Sequence, residues 1–257
     1  MSTLTAADLD HFNARGYVYV HDAFSAEEAA AMREVVWRAL ARGGLRESDP
    51  STWTAEFVPH LQALKRAPEF AAVGSARTVG AIDDLLGTAA WKAPGDWGAF
   101  FLLFPTKREW SVPYTGWHCD HDYAAPLDPL NALKVHAMFG DVAPRAGGMT
   151  IVAGSHRVVA RYFAGHPAVP GSPGAARRKA VMKSHPYLVD LGTDGGREAR
   201  MARFFERDED VDGLPLRVVE LTAMAGDVIL IHPLVLHTRP TNAGTYPRLL
   251  LNKDLYP

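Results

Sequence analysis

Apolar residues recur at helical spacing through the first third of the chain and in short, turn-bounded runs through the rest. Thr5-Ala6-Ala7-Asp8 can cap a short helix that runs toward Gly16. Tyr17-Val18-Tyr19-Val20 is wholly aromatic and β-branched, which predicts a strand. Ser25 followed by Glu28 forms a capping box. Behind it Met32, Val35, Val36 and Leu40 repeat at the spacing of one helix face, up to Gly43-Gly44. Leu61, Leu64, Val73, Val79, Ile82 and Leu86 predict a second helical region over 53–86. From Trp97 the period shortens. Strands are expected at 99–104, 133–142, 149–153, 216–221, 227–231 and 248–252, punctuated by Gly, Pro, Asp and Asn, an all-β signature. Helices first and strands later predict helices packed on one side of a β-barrel or sandwich.

The segment 157–215 breaks this order. Its periodicity is weak, it holds Pro167, Pro170, Gly171, Pro173 and the basic run Arg177-Arg178-Lys179, and a helix is expected only around 197–207. A stretch this long inside a compact domain is usually functional, so it is read as an insert covering the mouth of a site. The 257 residues are long for one average domain, but all-β barrels of this length routinely form one unit. A single domain over 1–257 is therefore expected, with helices over 1–95 and a β core over 97–257.

Composition removes several function classes. At 47% apolar, 22% charged and a net charge of −2, the chain has no basic excess of the kind that nucleic-acid binders show. One cysteine, Cys119, permits neither an internal disulfide nor a multi-cysteine zinc site. The first dozen residues have no basic n-region and no apolar h-region, and no run of about 18 apolar residues exists. The C-terminal residues are not a peroxisomal address. These features predict a cytoplasmic protein, a monomer or homodimer, that acts on a small molecule without nucleic-acid or membrane partners.

The candidate chemistry lies in two places. In His118-Cys119-Asp120, residues i and i+2 of a strand share a face, so an imidazole and a carboxylate can converge on one ion while Cys119 points away. One more imidazole completes a two-histidine, one-carboxylate face that leaves three positions open on octahedral iron, suited to a 2-oxo acid and dioxygen. His232 and His237 compete for that place. A turn and then Arg248 follow His237. On adjacent antiparallel strands His237 and Arg248 could face one pocket, with the guanidinium gripping the distal carboxylate of a dicarboxylate co-substrate. That spacing favours His237 and leaves His232 structural.

With these residues placed, the chain resembles the phytanoyl-CoA dioxygenase family, weakly over the N-terminal helices and strongly from about Trp117 onward. The family's H-x-D falls on His118 and Asp120. Its distal histidine in an H-P-L-x-x-H segment falls on His237, and its co-substrate arginine falls on Arg248. Its N-G-x-L-x-x-x-P-G-S-H signature appears as 146–156, with Ala146 and Ala153 in place of the asparagine and proline. Some members carry a small hydroxyl residue two after the distal histidine. Here that residue is Arg239, so a second carboxylate anchor must come from elsewhere, with Thr150 or Lys134 as candidates.

The resemblance implies a double-stranded β-helix (a cupin-like jelly roll), mainly β with flanking helices. It implies Fe(II) as metal, with 2-oxoglutarate and O2 as co-substrates, and hydroxylation of a C–H bond. His136, where members often carry an aromatic residue, is expected in the substrate pocket with Trp117, His121 and Tyr123. His156 and the 177–179 run are read as structural and solvated. The carboxylate Asp120 disfavours halogenation. Desaturation, epoxidation and ring formation use the same machinery, and a natural-product intermediate or modified amino acid is the expected substrate. The competing classes are a non-catalytic jelly-roll binding protein, which the loss of a metal or co-substrate residue would have favoured, and a zinc hydrolase, which gives Arg248 no role and has no evident general base near His118.

Overall fold

Two capping boxes set the helical side of the molecule. Thr5 opens helix α1 (Ala6–Arg15) and Ser25 opens helix α2 (Ala26–Arg42). In each, the hydroxyl accepts from the backbone amide three residues on, and the carboxylate there, Asp8 or Glu28, accepts from the backbone amide of the cap residue. Such a cap is worth about 1 kcal/mol. The structure is a computed structural model that describes residues 2–58, 61–88, 90–120, 129–167 and 174–256. The expected helix over 53–86 is only partly formed. Gln62–Arg66 and Pro68–Gly74 are 3-10 turns, and the α-helix α3 covers Ala76–Leu86. Pro68 is the reason, because a helix tends to stop before proline.

The strands are β1 (Tyr17–Val20), β2 (Ala99–Leu103), β3 (Leu133–Met138), β4 (Thr150–Ala153), β5 (Glu209–Val211), β6 (Leu214–Glu220), β7 (Val228–Ile231), β8 (His237–Thr238) and β9 (Arg248–Leu255). They form two antiparallel sheets, ordered β1-β7-β3-β9-β2 and β5-β6-β4-β8. This is a jelly roll with flanking helices, as expected. On the first sheet Val135, Ala137, Val228, Leu230, Leu249 and Leu251 face the helices and pack with Phe12, Met32, Val36 and Ile82. The opposite faces of the two sheets meet as Met138, Ile229, Ile231, Leu250, Ile151 and Ala153. Strand alternation puts Lys134, His136, Arg248 and Asn252 on this inner side too.

The segment after β4 is helical rather than irregular: α4 (Ser155–Gly165), α5 (Gly174–Val181), α6 (Pro186–Leu191) and α7 (Arg197–Arg200), continued by a π turn over Met201–Phe205. Tyr187, Leu188, Leu191 and Phe204 pack with Val152, Leu216 and Val218 on the outer face of the second sheet, and with Trp110, Val112 and Trp117. Arg200 fastens this layer. Its guanidinium is buried and donates to the carbonyls of Val112, Pro113, Asp190, Leu191 and Thr193. Among the described residues, no helix is long and apolar enough to cross a membrane.

Gly16 closes α1 in the left-handed region, at φ 83°, where a Cβ would stand 2.6 Å from Nδ1 of His156. His156 is held there by Nε2, which donates to the Asn13 carbonyl at 3.1 Å. Burial first, aided by Arg157 and opposed by the Asn13 carbonyl, pushes its pKa down to about 4. Its stabilising effect is therefore complete above its unfolded pKa, about 6.5, and is lost as pH falls toward 4. Chemical unfolding at pH 7 and pH 5 should show the wild type losing about 2 kcal/mol through this group. His156→Gln should lack that component, and an equal loss in the variant would refute the assignment.

Candidate metal centre

The H-x-D segment lies on a β-bridge rather than in a full strand. The His118 amide donates to the His237 carbonyl at 3.1 Å, and the His237 amide returns the bond at 2.8 Å. This places the imidazoles with centroids 4.4 Å apart. Asp120 joins them, with Oδ1 3.3 Å from Nε2 of His118 and Oδ2 3.4 Å from Nε2 of His237. One ligand atom from each of the three residues falls within 4.8 Å of the others. Cys119 points away and is buried with Trp117 and Val152, as alternation requires.

The imidazoles are oriented by their own backbones. Nδ1 of His118 donates to the Gly116 carbonyl at 2.6 Å, and Nδ1 of His237 donates to the Val235 carbonyl at 3.0 Å. Each bond fixes the ring so that Nε2 turns toward Asp120 and the cavity, the orientation a metal ligand needs. Two imidazoles and one carboxylate on one side of an open cavity fit a divalent first-row metal of the kind non-haem oxygenases use.

Lys134 controls the carboxylate. Its Nζ is 2.6 Å from Asp120 Oδ2, 2.7 Å from Asp254 and 3.2 Å from Oδ1 of Asn252. Burial opposes its charge, but Asp254 and Asp120 outweigh burial and hold its pKa above the ordinary value. Asp120 is held below the usual carboxylate range. Burial opposes this, while hydrogen bonds from His118 and His237 and the charge of Lys134 prevail. Lys134 is thus already shared between two carboxylates and is not a free anchor for a co-substrate. Lys134→Met should weaken binding of a divalent metal about 10–100-fold, the usual cost of losing a group that orients a ligand. Calorimetric titration with cobalt(II) reads this directly, and unchanged affinity would remove Lys134 from the site.

Phe101, Thr115, Gly116, Met149, Thr238, Arg239 and Asn252 wall a cavity of about 470 Å³ with the triad and Lys134. Arg248 lies behind that wall, 1% exposed. Its Nη1 donates to the Gly147 carbonyl at 2.6 Å, and its Nε has no partner. Among the described residues no carboxylate pairs with it. The nearby Glu220 gives its oxygens to the amides of Arg145, Gly147 and Gly148. Burial first, then Arg239, pushes the guanidinium down to about 9, against the pull of Glu220, so it stays charged at neutral pH. A buried cation without a counter-ion is costly and calls for an anion from outside the chain.

Several expectations need correction. His237 and Arg248 are not on adjacent strands. Strand β8 pairs with β4 in one sheet and β9 pairs with β2 and β3 in the other, so the two residues face each other from opposite sheets. Trp117 is not a pocket residue. It is 7% exposed, its indole donates to the Pro113 carbonyl, and it packs into the outer core. His136 is fully buried in the interior and does not wall the cavity. Burial, Lys134, His237 and Arg248 hold its pKa far below the usual value, so it is neutral. Thr150 has a buried, unpartnered hydroxyl, but Ile151 is the residue paired with His237, and alternation puts Thr150 on the opposite face. None of the described residues of the 157–215 segment walls the cavity, because that layer is drawn to the outer face of the second sheet. His121 and Tyr123 lie outside the described residues. His232 stays out of the triad and tilts against the His156 ring.

Sequence reasoning undervalued Lys134 and missed Asn252. The available signal was two polar residues, Lys134 and His136, at alternate positions of an otherwise apolar run, repeated as Asn252 and Asp254.

A sequence model of the family described as phytanoyl-CoA dioxygenase matches residues 12–249. The chain belongs to the phytanoyl-CoA dioxygenase family. Among curated proteins, this family member is 26% identical over 175 residues to the Ava biosynthesis cluster protein O of Aspergillus versicolor, covering 60% of the chain and 52% of that relative. The chain thus spans about half the length of the curated relative it matches. Among solved structures, HygX from Streptomyces hygroscopicus with nickel and 2-oxoglutarate bound superposes with a TM-score of 0.51 at 16% identity, covering 99% of this chain and 87% of that one. EctD from S. alaskensis superposes with a TM-score of 0.54 at 19% identity, covering 99% and 78%. At these identities the likeness concerns the fold.

Proposed function

We propose that this family member is an Fe(II)- and 2-oxoglutarate-dependent oxygenase that hydroxylates a C–H bond of a small molecule. The observation that carries the reading is the pairing of two features in one barrel. One is a His-Asp-His face with both Nε2 atoms turned to the Asp120 carboxylate, and the other is a buried guanidinium with no counter-ion. A zinc hydrolase or a plain binding protein explains the first and leaves the second as unrelieved cost.

In this reading His118, Asp120 and His237 hold iron, and Arg248 receives the distal carboxylate of 2-oxoglutarate. When bound, iron and 2-oxoglutarate supply the oxidation: one oxygen atom of O2 enters the substrate as hydroxyl, the other enters succinate, and CO2 leaves. The Gly116 and Val235 carbonyls hold both imidazole rings in orientation. Lys134 holds Oδ2 of Asp120 at 2.6 Å and so fixes the orientation of the carboxylate that would help hold the metal. Met149 and Phe101 offer the apolar walls against which a substrate can exclude water. The Ava cluster protein is named for a biosynthetic cluster and HygX binds 2-oxoglutarate, which supports a natural-product intermediate or modified amino acid as substrate.

The test is an anaerobic titration of iron(II) and 2-oxoglutarate into metal-free protein, followed by the weak visible charge-transfer band of the chelate. A saturable band that needs both components supports the reading. Its absence at saturating iron and co-substrate would sink it.

A further inference from the structure

Arg239 is the first residue past β8 and therefore stands close to the ligand His237. It walls the cavity, its side chain is exposed, and its guanidinium lies 3.8 Å from the centroid of the half-open Phe57 ring. Among the described residues it has no carboxylate partner and no hydrogen bond. Stacking on an aromatic face pins the plane of a guanidinium while leaving its in-plane N–H donors free. That is the geometry of a receptor for a planar anion.

Charge accounting points the same way. Lys134 is matched by Asp254. Under the function proposed above, the charges of iron(II) and Arg248 meet those of Asp120 and the two carboxylates of 2-oxoglutarate. Arg239 is then the surplus cation among the cavity groups, and it sits on the open side rather than behind the wall with Arg248. A neutral substrate would leave it unmatched beside a buried site where like charges already disfavour one another.

We infer that Arg239, braced by Phe57, is the specificity-determining residue that receives a carboxylate group of the substrate. The proposal rests on the oxygenase reading, and the substrate class it names is a monocarboxylate-bearing small molecule whose reactive carbon lies on the triad side of that anchor. One planar cation with its N–H donors free matches a carboxylate bidentately, whereas a phosphate monoester would bring more charge than the site leaves unmatched.

The test uses the full chain loaded anaerobically with iron(II) and saturating 2-oxoglutarate. Benzoate is the probe, benzamide its neutral match, and inorganic phosphate the competing anion, all read by isothermal titration. Benzoate should bind the wild type, benzamide should not bind at the same concentrations, and phosphate should compete poorly. Arg239→Gln should weaken benzoate by about tenfold or more. Arg239→Lys should recover part of the loss, because it keeps the charge without the fork. The 2-oxoglutarate requirement of Arg239→Gln, read from the visible band, should stay within about threefold of wild type. Equal binding of benzoate and benzamide, no benzoate binding, or benzoate binding indifferent to Arg239→Gln would overturn the proposal. Tighter binding of phosphate would replace the carboxylate by a phosphoryl group. A rise in the 2-oxoglutarate requirement as large as that of an Arg248 variant would make Arg239 a second grip on the co-substrate. Failure of the wild type to give any band is a different result, since it removes the oxygenase reading itself.

Discussion

Arg248→Met is expected to raise the melting temperature of the metal-free protein while weakening 2-oxoglutarate binding about a hundredfold. The two effects have opposite signs because one buried charge causes both. In the ligand-free fold the guanidinium is desolvated, pushed down to about 9, and unpaired at Nε. Methionine of similar length loses the bond to the Gly147 carbonyl, which costs about 1 kcal/mol, and removes a buried charge worth more than that. For a domain of this size each kcal/mol moves the melting temperature by about 2–4 °C. With co-substrate the sign reverses, since a lost buried charge pair costs about 2–5 kcal/mol and a hundredfold is about 2.7 kcal/mol. Thermal melts with and without 2-oxoglutarate, plus the visible titration, measure both. A variant that melts lower and binds 2-oxoglutarate normally would make Arg248 a purely structural cation.

His237→Ala should abolish the band altogether. One of three ligand side chains disappears, so metal affinity should fall well beyond the roughly 10–100-fold that an orienting neighbour is worth. The fold should survive, because the bridge to His118 is made by backbone groups that alanine retains. Asp120→Ala should be equally inert but less stable, since Lys134 then loses one of its two carboxylates while 5% exposed at the side chain. Cobalt(II) calorimetry with far-ultraviolet circular dichroism separates lost ligation from lost fold. Retained tight binding in His237→Ala would bring His232 back as the third ligand.

The parts of this molecule written in local chemistry could be read from the chain. Thr5 with Asp8 and Ser25 with Glu28 announce their helices, and alternation in His118-Cys119-Asp120 separates two residues that converge with His237 from a core residue. What escaped depends on partners distant in sequence. Pro68 halted a helix that the apolar spacing favoured. The 157–215 layer has apolar residues that become meaningful only against Val152, Leu216 and Val218. Trp117 precedes His118 by one position, yet its indole is drawn outward by the Pro113 carbonyl. His237 and Arg248 are near neighbours along the chain, and nothing local reveals that 239–247 carries it from one sheet to the other.

That crossing has a consequence for co-substrate choice. The triad hangs from the second sheet and the buried guanidinium from the first, so the two sheets act as the jaws of a caliper whose gap is set by the side chains between them. Ile151, Met138 and Leu250 are its spacers. A bulkier spacer would open the jaws and a smaller one would let them close, so under the proposed function the length of dicarboxylate that fits is set partly by core packing.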